Sequence, residues 1–136
     1  MDTYEEVRDW LYEQLPAYQK KGSSAYKPGL ENIERFLDYL GNPHQDFLSI
    51  HIAGTNGKGS TAHMINSVLM EANYKVGLYT SPHLKDFTER IRINGIAIEE
   101  GYVVEFINKH KSYFVEAKLS FFELTVGMSF TYFKDQ

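Results

Sequence analysis

One segment of the chain combines the residue types that bind phosphate. An apolar run at residues 47–53 leads into a loop with three glycines, a lysine and several hydroxyl groups within residues 54–61. Backbone N–H groups of such a loop can surround a phosphate, and a lysine beside it adds positive charge. The sequence therefore predicts a nucleoside-triphosphate site formed by Gly54, Thr55, Asn56, Gly57, Lys58, Gly59, Ser60 and Thr61.

This loop departs from the common phosphate-loop pattern, which has a glycine five residues before the Gly-Lys pair and a Ser or Thr directly after the lysine. Ile52 holds the first of these positions and Gly59 the second. The alternative is an ordinary glycine-rich turn between a strand and a helix. Such a turn needs neither three glycines nor a lysine, so we favour phosphate binding. Lys58 is the predicted catalytic residue, because a lysine there can bridge the β- and γ-phosphates.

Two helices are predicted before the loop. The first covers residues 3–15, where Thr3 and Glu6 have the spacing of a capping box. The second covers residues 30–40, whose apolar residues recur on one helical face. Residues 17–28, which separate the two helices, are rich in lysine and serine and predict an exposed loop.

The remaining pattern alternates strands with helices. A buried strand before the loop, a helix after it and a second strand would form a β-loop-α-β unit with a parallel sheet. The helix would face inward with Met64, Ile65, Val68 and Leu69. Asn94-Gly95 predicts a hairpin. The predicted elements are strands at residues 47–53 and 75–80, a hairpin at 90–98 and helices at 58–73, 99–115 and 122–133.

Four ordered motifs resemble the folate branch of the Mur ligase superfamily, which comprises folylpolyglutamate synthases and dihydrofolate synthases. They are Gly-Thr-Asn-Gly-Lys-Gly-Ser at 54–60, Tyr-Thr-Ser-Pro-His-Leu at 79–84, Thr-Glu-Arg-Ile-Arg-Ile-Asn-Gly at 88–95 and Phe-Phe-Glu-Leu-Thr at 121–125. Glycine after the lysine is typical of this branch. The resemblance runs from about residue 8 to the C-terminus.

The resemblance implies a three-layer α/β domain of the Rossmann-like, P-loop NTPase type. This mononucleotide-binding domain would have a parallel sheet, would be preceded by two helices and would be incomplete at its C-terminus. Residues 1–136 would then be the N-terminal part of the ATP-binding domain, and the C-terminal glutamate-ligase domain would be absent. We expect such a fragment to be inactive alone.

The resemblance also implies an activity, namely ATP-dependent addition of L-glutamate to folate or dihydropteroate through an acyl phosphate. The implied cofactors are ATP and Mg²⁺, with Ser81 as a metal ligand. The alternative for Ser81 is the start of a Ser-Pro turn. The implied substrate-binding residues are Ser120, Phe121, Phe122, Glu123 and His83, with a weaker match near residues 16–18. An aromatic ring can stack on a flat heterocycle, and a carboxylate can accept hydrogen bonds from the N–H groups of that heterocycle. The alternative is a buried aromatic residue beside a carboxylate that caps the helix.

The composition limits which classes of partner and site the protein can have. The net charge of −4 does not suggest a nucleic-acid surface, and the absence of cysteine rules out disulfides and thiolate metal sites. No apolar run is long enough to cross a bilayer, so we expect a cytoplasmic protein that acts on small molecules, with a monomeric full-length enzyme. Two other functions stay open: a non-catalytic nucleotide-binding module and a fragment of a cell-wall Mur ligase.

Overall fold

The computed structural model describes residues 1–15 and 29–136, and within them it contains five α-helices and three short strands. The predicted loop at residues 17–28 and the predicted substrate contact at 16–18 lie outside these ranges. The helices are α1 (Tyr4–Glu13), α2 (Glu31–Tyr39), α3 (Lys58–Glu71), α4 (Glu100–Glu116) and α5 (Phe121–Asp135). The strands are β1 (Gly77–Tyr79), β2 (Ile91–Ile93) and β3 (Ile96–Ala97), and short 3₁₀ turns cover Pro43–Gln45 and Phe87–Arg90.

Capping residues explain where two of these helices begin. Thr3 Oγ1 accepts a hydrogen bond from Glu6 N at 3.3 Å, and Glu6 Oε2 accepts one from Thr3 N at 3.4 Å. The predicted capping box of α1 is therefore confirmed. Ser120 and Glu123 form the same reciprocal pair at the start of α5. Each such cap satisfies N–H groups that the helix leaves free and contributes about 1 kcal/mol.

The sheet is antiparallel, with β2 between β1 and β3. Leu78 of β1 lies opposite Arg92 of β2, and Ile93 of β2 lies opposite Ile96 of β3. Asn94 and Gly95 connect β2 to β3 with φ values of 47° and 79°. Positive φ at both positions is what a two-residue hairpin turn requires, so the hairpin prediction is confirmed.

The predicted parallel β-loop-α-β unit is not formed in the described residues. Residues 48–54 have no regular secondary structure, and the Leu48 and Ile50 side chains are 102% and 64% exposed. A parallel strand exists only through hydrogen bonds to its neighbours, and no described strand pairs with this segment. Apolar composition marked the segment as suitable for burial, but it carried no information about a pairing partner.

The inward face predicted for α3 is found only at Ile65 and Leu69, which are half-buried. Met64 and Val68 are 68% and 67% exposed, whereas Asn66 is buried. Because few of its apolar side chains are covered, α3 is held by contacts with β1 rather than by the central core. Its N-terminus nevertheless begins at Lys58, as the sequence predicted.

The core lies where α1, α4 and α5 meet the sheet. Val7 and Leu11 of α1 are fully buried beside Val103 of α4 and Met128 of α5. Trp10 of α1 packs edge-on against Phe114 of α4, with ring centroids 5.3 Å apart. Burial of this apolar face positions α1 next to the segment that follows β1. No helix in the described ranges is both long and apolar enough to cross a membrane.

Helix α2 approaches α5 closely at Gly127. A Cβ atom added to Gly127 would lie 2.3 Å from Phe36 Cε1 and 3.0 Å from Leu40 Cδ1. Glycine is therefore required at this crossing because the Phe36 ring takes the space of a side chain.

Candidate phosphate-binding loop and the neighbouring His83 group

The N-terminus of α3 presents main-chain donors at the glycine-rich loop. Gly57 is the N-cap residue, has φ 76° and makes no side-chain cap. Thr61 N donates to Gly57 O at 3.0 Å. This is the first hydrogen bond of the helix, so the N–H groups of Lys58, Gly59 and Ser60, which come before Thr61, have no acceptor within the helix. All these residues are exposed, so an anion can reach donors that also lie at the positive end of the helix dipole.

The Lys58 side chain, at the first residue of α3, extends back over the preceding loop. Its Nζ donates to Gly54 O at 2.7 Å, which closes the loop on itself. Within the described residues Lys58 has no acidic partner, because the two ion pairs there join Arg8 to Asp9 and Lys134 to Asp46. The structure thus brings a lysine ammonium and free main-chain N–H groups together in one exposed loop.

Ser81 lies in a second exposed segment, which follows β1. The Ser81-Pro82 peptide bond is cis. The segment is held from below by the Glu89 carboxylate, which accepts hydrogen bonds from the N–H groups of Leu84, Lys85 and Asp86 at 2.9–3.1 Å. Hydrogen bonds from Asp86 and Leu84 lower the pKa of Glu89. Glu89 therefore fixes the conformation of the segment between Ser81 and β2.

His83 is enclosed by groups from two other parts of the chain. Arg90 Nε donates to His83 Nδ1 at 2.7 Å, and Tyr12 Oη lies 3.2 Å from His83 Nε2. The Tyr12 and His83 rings also stack, with centroids 5.5 Å apart. Burial, and then the positive charge of Arg90, lowers the pKa of His83. Because Nδ1 accepts from Arg90, the neutral ring carries its proton on Nε2 and donates it to Tyr12.

Arg90 connects His83 to the start of α5. Its side chain is 4% exposed, and its guanidinium carbon lies 5.0 Å from the centroid of the Phe121 ring. The structure therefore brings together two residues that were predicted to bind substrate, His83 and Phe121, with Arg90 between them. We use "the His83 group" for Tyr12, His83, Arg90 and Phe121.

The other residues at the start of α5 differ in exposure. Phe121 is 5% exposed and packs edge-on against Phe87, whereas Phe122 is 40% exposed. Glu123 Oε2 accepts from Ser120 N at 2.7 Å, and Ser120 Oγ accepts from Glu123 N at 3.2 Å. Ser120 and Glu123 are thus engaged in helix capping, Phe121 belongs to the core, and the Phe122 ring is partly exposed.

The phosphate loop and the His83 group are not joined. Within residues 1–15 and 29–136, no hydrogen bond or ring contact links residues 54–61 to His83, Arg90 or Phe121. The same ranges contain no group of three or more His, Asp or Glu side chains that could hold a metal ion. Mg²⁺ is often bound by one or two protein groups together with substrate phosphates and water. The Ser81 hydroxyl fits a site of that kind but could not form one alone.

The sequence-based predictions overlooked Tyr12 and assigned no role to Glu89 or Arg90, although both lie in the motif at 88–95. Asp86 and Glu89 have capping-box spacing, and the structure contains that box at the 3₁₀ turn Phe87–Arg90, so a local signal for Glu89 was present. Tyr12 gave no such signal, because its contact with His83 joins residues 71 positions apart. Arg90 lies seven residues after His83, but no spacing rule pairs these two side chains.

Comparisons with known proteins place these features in context. The chain is 36% identical to a dihydrofolate synthase/folylpolyglutamate synthase of Bacillus subtilis over an alignment of 139 positions, gaps included, which covers 97% of this chain and 30% of that protein. The crystal structure of a folylpolyglutamate synthase from Thermotoga maritima matches with a TM-score of 0.82 and 42% identity, again over 97% of this chain and 30% of the other. No family model matches the chain.

A third similarity concerns nucleotide binding. A folylpolyglutamate synthase of Mycobacterium tuberculosis, solved with ADP and AMPPCP, matches with a TM-score of 0.76 and 30% identity. The relatives of this chain are thus ATP-dependent ligases. They are the folylpolyglutamate and dihydrofolate synthases, and this chain corresponds to one part of them, which confirms the predicted relationship. Its α/β fold matches theirs, and the chain spans less than a third of the length of these relatives.

Proposed function

We propose that this chain is the phosphate-loop part of an ATP-dependent ligase that adds L-glutamate to folate or dihydropteroate through an acyl phosphate. The observation that carries the proposal is the exposed N-terminus of α3, where Lys58 and uncapped N–H groups meet in a glycine-rich loop. Phosphoryl transfer depends mostly on positioning and charge stabilisation, and this loop supplies both. The names of the relatives supply the substrate class.

Each part of the loop has a role in this proposal. The Lys58 ammonium exchanges its bond to Gly54 O for the β- and γ-phosphate oxygens and offsets their charge. The N–H groups of residues 55–60 surround the phosphates, and the glycines let the main chain approach them closely. Gly54 and Thr61 complete the proposed nucleotide site.

Mg²⁺ is the proposed second cofactor. When bound it neutralises phosphate charge during transfer, and Ser81 would supply one of its oxygen ligands. The position of Ser81 supports this role, because the serine is exposed in a segment that Glu89 orders. Gly59, which follows the lysine, has no side chain with which to take that role.

The acceptor substrate is proposed to bind at the start of α5. Phe122 is the best supported contact, because its exposed ring can stack on a flat heterocycle. Glu123 keeps one carboxylate oxygen, Oε1, outside the cap and can accept a hydrogen bond from the heterocycle. Ser120, Phe121 and His83 are proposed to shape this site, with His83 positioned by Arg90.

The finer architecture belongs to the same proposal. The family relationship favours a three-layer, Rossmann-like arrangement in which residues 47–53 form a parallel strand of an ATP-binding domain that includes residues 1–136. Leu48 and Ile50 are apolar side chains that the described residues leave uncovered, and pairing of this segment with strands from the rest of a longer protein would bury both. We further propose a cytoplasmic, monomeric enzyme that acts on small molecules and not on nucleic acids, as a net charge of −4 favours.

A non-catalytic nucleotide-binding module is the second candidate. One observation favours it for these residues alone: beyond the Ser81 hydroxyl, the described ranges contain no cluster of metal-binding side chains. In that case the chain would bind ATP without transferring phosphate. Magnesium-dependent ATP turnover in the presence of an acceptor separates the two functions.

A nucleotide titration followed by NMR tests the loop. Addition of ATP with Mg²⁺ should shift the amide signals of residues 55–60, even if binding is weak. Lys58→Ala should abolish these shifts without unfolding the chain, because Lys58 is exposed. Lys109→Ala, which removes an exposed lysine from α4, is the matched control and should leave them unchanged. Saturating ATP that moves no signal between residues 55 and 60 would overturn nucleotide binding at this loop.

The ligase activity has a separate test. A protein that contains this chain together with the remaining parts of its relatives should release phosphate from ATP only when a folate acceptor and L-glutamate are both present. Phosphate release that depends on neither would contradict the proposal. Glutamate transfer to a cell-wall precursor would favour the other branch of the superfamily.

A further inference from the structure

The chain contains two Asn-Gly pairs, Asn56-Gly57 and Asn94-Gly95. This dipeptide loses side-chain ammonia more readily than other asparagine pairs. Glycine has no Cβ, so nothing hinders attack by its main-chain nitrogen on the asparagine side-chain carbon. Attack requires that the asparagine side chain turn toward that nitrogen. The two pairs differ in whether the structure permits this.

Asn94 is held on both sides. Its Oδ1 accepts a hydrogen bond from Val76 N at 2.8 Å, and its own N–H donates to Val76 O at 2.9 Å. These bonds tie the turn between β2 and β3 to the residue that precedes β1. Rotation of the Asn94 amide toward Gly95 would break the bond to Val76, so the structure protects this pair.

Asn56 is free by comparison. It is exposed, and its side chain makes no hydrogen bond to any residue in the described part of the chain. Gly57 N likewise has no main-chain acceptor there. Gly57 has φ 76°, and a Cβ placed on it would meet nothing within 4 Å. Both reacting atoms are therefore unrestrained and surrounded by open space.

We propose that Asn56 is a site of spontaneous deamidation that damages the phosphate loop. Gly57 N attacks Asn56 Cγ, a new C–N bond closes a five-membered succinimide, and the side-chain nitrogen leaves as ammonia with the proton that Gly57 N gives up. Water then adds to either carbonyl carbon of the ring. The products are aspartate, with the original main chain, and isoaspartate, in which the main chain passes through the side chain.

Both products impair an anion site. Each adds a carboxylate two residues before Lys58, where it competes with phosphate for the ammonium and repels phosphate. Isoaspartate also lengthens the main chain by one methylene and displaces the N–H groups that follow. This consequence rests on the proposed function. It further implies that bound nucleotide protects Asn56, because a phosphate oxygen that accepts from Gly57 N–H holds the attacking nitrogen in place.

The modification can be tested without nucleotide. The folded chain is incubated at mildly alkaline pH and mapped by peptide mass spectrometry for the mass gain and isoaspartate at each pair. We expect conversion at Asn56 to be several-fold faster than at Asn94. In denaturant the two rates should converge, because the bonds to Val76 are lost. Asn56→Gln should remove the Asn56 signal and leave Asn94 unchanged. Equal rates in the folded chain, or faster conversion at Asn94, would overturn the proposal.

A second arm separates this inference from the proposed function. Saturating ATP with Mg²⁺ should slow conversion at Asn56 several-fold without changing Asn94. If ATP shifts the loop amides in the NMR titration but does not slow conversion, nucleotide protection is refuted. If ATP shifts no loop amide while Asn56 still converts faster than Asn94, the nucleotide function fails and the deamidation site stands.

Discussion

Arg90 donates its Nε–H to His83 Nδ1 across 2.7 Å while its guanidinium lies over the Phe121 ring. One buried side chain therefore fixes both the ring orientation of His83 and the packing at the start of α5. Arg90 Nη1 is buried and has no hydrogen-bond partner among residues 1–15 and 29–136. A charge in this setting has a desolvation cost, and its retained bonds must offset that cost.

Removal of the Arg90 side chain should therefore destabilise the fold. We expect Arg90→Ala to cost about 2 kcal/mol, because it breaks a charged hydrogen bond and leaves space beneath Phe121. Urea unfolding gives the free energy. The matched control is Arg92→Ala in β2, two residues further along the chain, since Arg92 is half-buried and makes a 3.2 Å bond to Glu89 O. A loss for Arg92→Ala as large as that for Arg90→Ala would contradict a special role for Arg90.

Phe121 and Phe122 should separate stability from binding. Phe121→Ala should lower the free energy of unfolding by about 3 kcal/mol, because it empties a buried site next to Phe87. Phe122→Ala should cost less stability, since the ring is 40% exposed, and should weaken binding of a pterin-containing acceptor by the ligase. Denaturant unfolding and calorimetric titration measure the two effects. If Phe122→Ala leaves acceptor affinity unchanged, the proposed stacking is wrong.

Two glycines in helices should respond to alanine with opposite signs. Gly127→Ala places a methyl group against Phe36 and should destabilise the chain by about 2 kcal/mol. Gly101→Ala in α4 meets nothing within 4 Å and should stabilise it by about 0.5 kcal/mol, because alanine favours a helix. Thermal unfolding of both variants tests the pair. Destabilisation by Gly101→Ala would show that propensity does not govern that position.

Stability should fall as the pH drops below about 6.5, in part because of His110. This side chain is buried, its Nδ1 lies 3.2 Å from Tyr39 Oη, and burial followed by the nearby charge of Lys109 lowers its pKa from 6.5. The unfolded chain therefore takes up a proton at a pH where the folded chain resists it, so acid favours unfolding. Above that pH both states are neutral at this site.

His110→Gln tests this assignment because glutamine does not titrate. The free energy of unfolding of the variant should depend less on pH than that of the unmodified chain. The range to compare is about pH 5 to 7, because the ordinary histidine pKa is about 6.5. His63→Gln removes an exposed histidine from α3 and serves as the control. Identical pH dependence in His110→Gln and the unmodified chain would exclude the buried imidazole as the cause.

Local signals predicted the helices and the hairpin. The capping box at Thr3 is read from four consecutive residues, and Asn94-Gly95 specifies a turn by its conformational preference. The predicted parallel sheet was not confirmed, because strand pairing depends on which strands are available. Leu48 and Ile50 are apolar enough for a buried strand, yet no described strand pairs with them.

The candidate site divides in the same way. The phosphate loop was visible because its glycines and Lys58 are contiguous, and the structure places them at a helix N-terminus. The His83 group was not visible as a whole, because Tyr12 lies in α1 and meets His83 only after α1 docks, whereas Arg90 is seven residues from His83. No spacing rule connects Tyr12 with His83, which lie 71 residues apart.

The docking of α1 has a practical consequence. Trp10 is the only tryptophan of the chain; its ring lies against Phe114, with Lys111 Nζ 5.1 Å from the ring centroid. The same helix carries Tyr12 to His83. The fluorescence emission of Trp10 therefore reports on the contact between α1 and α4. A red shift that precedes loss of helical circular dichroism would show that α1 leaves first and releases His83 while the rest of the molecule is still folded.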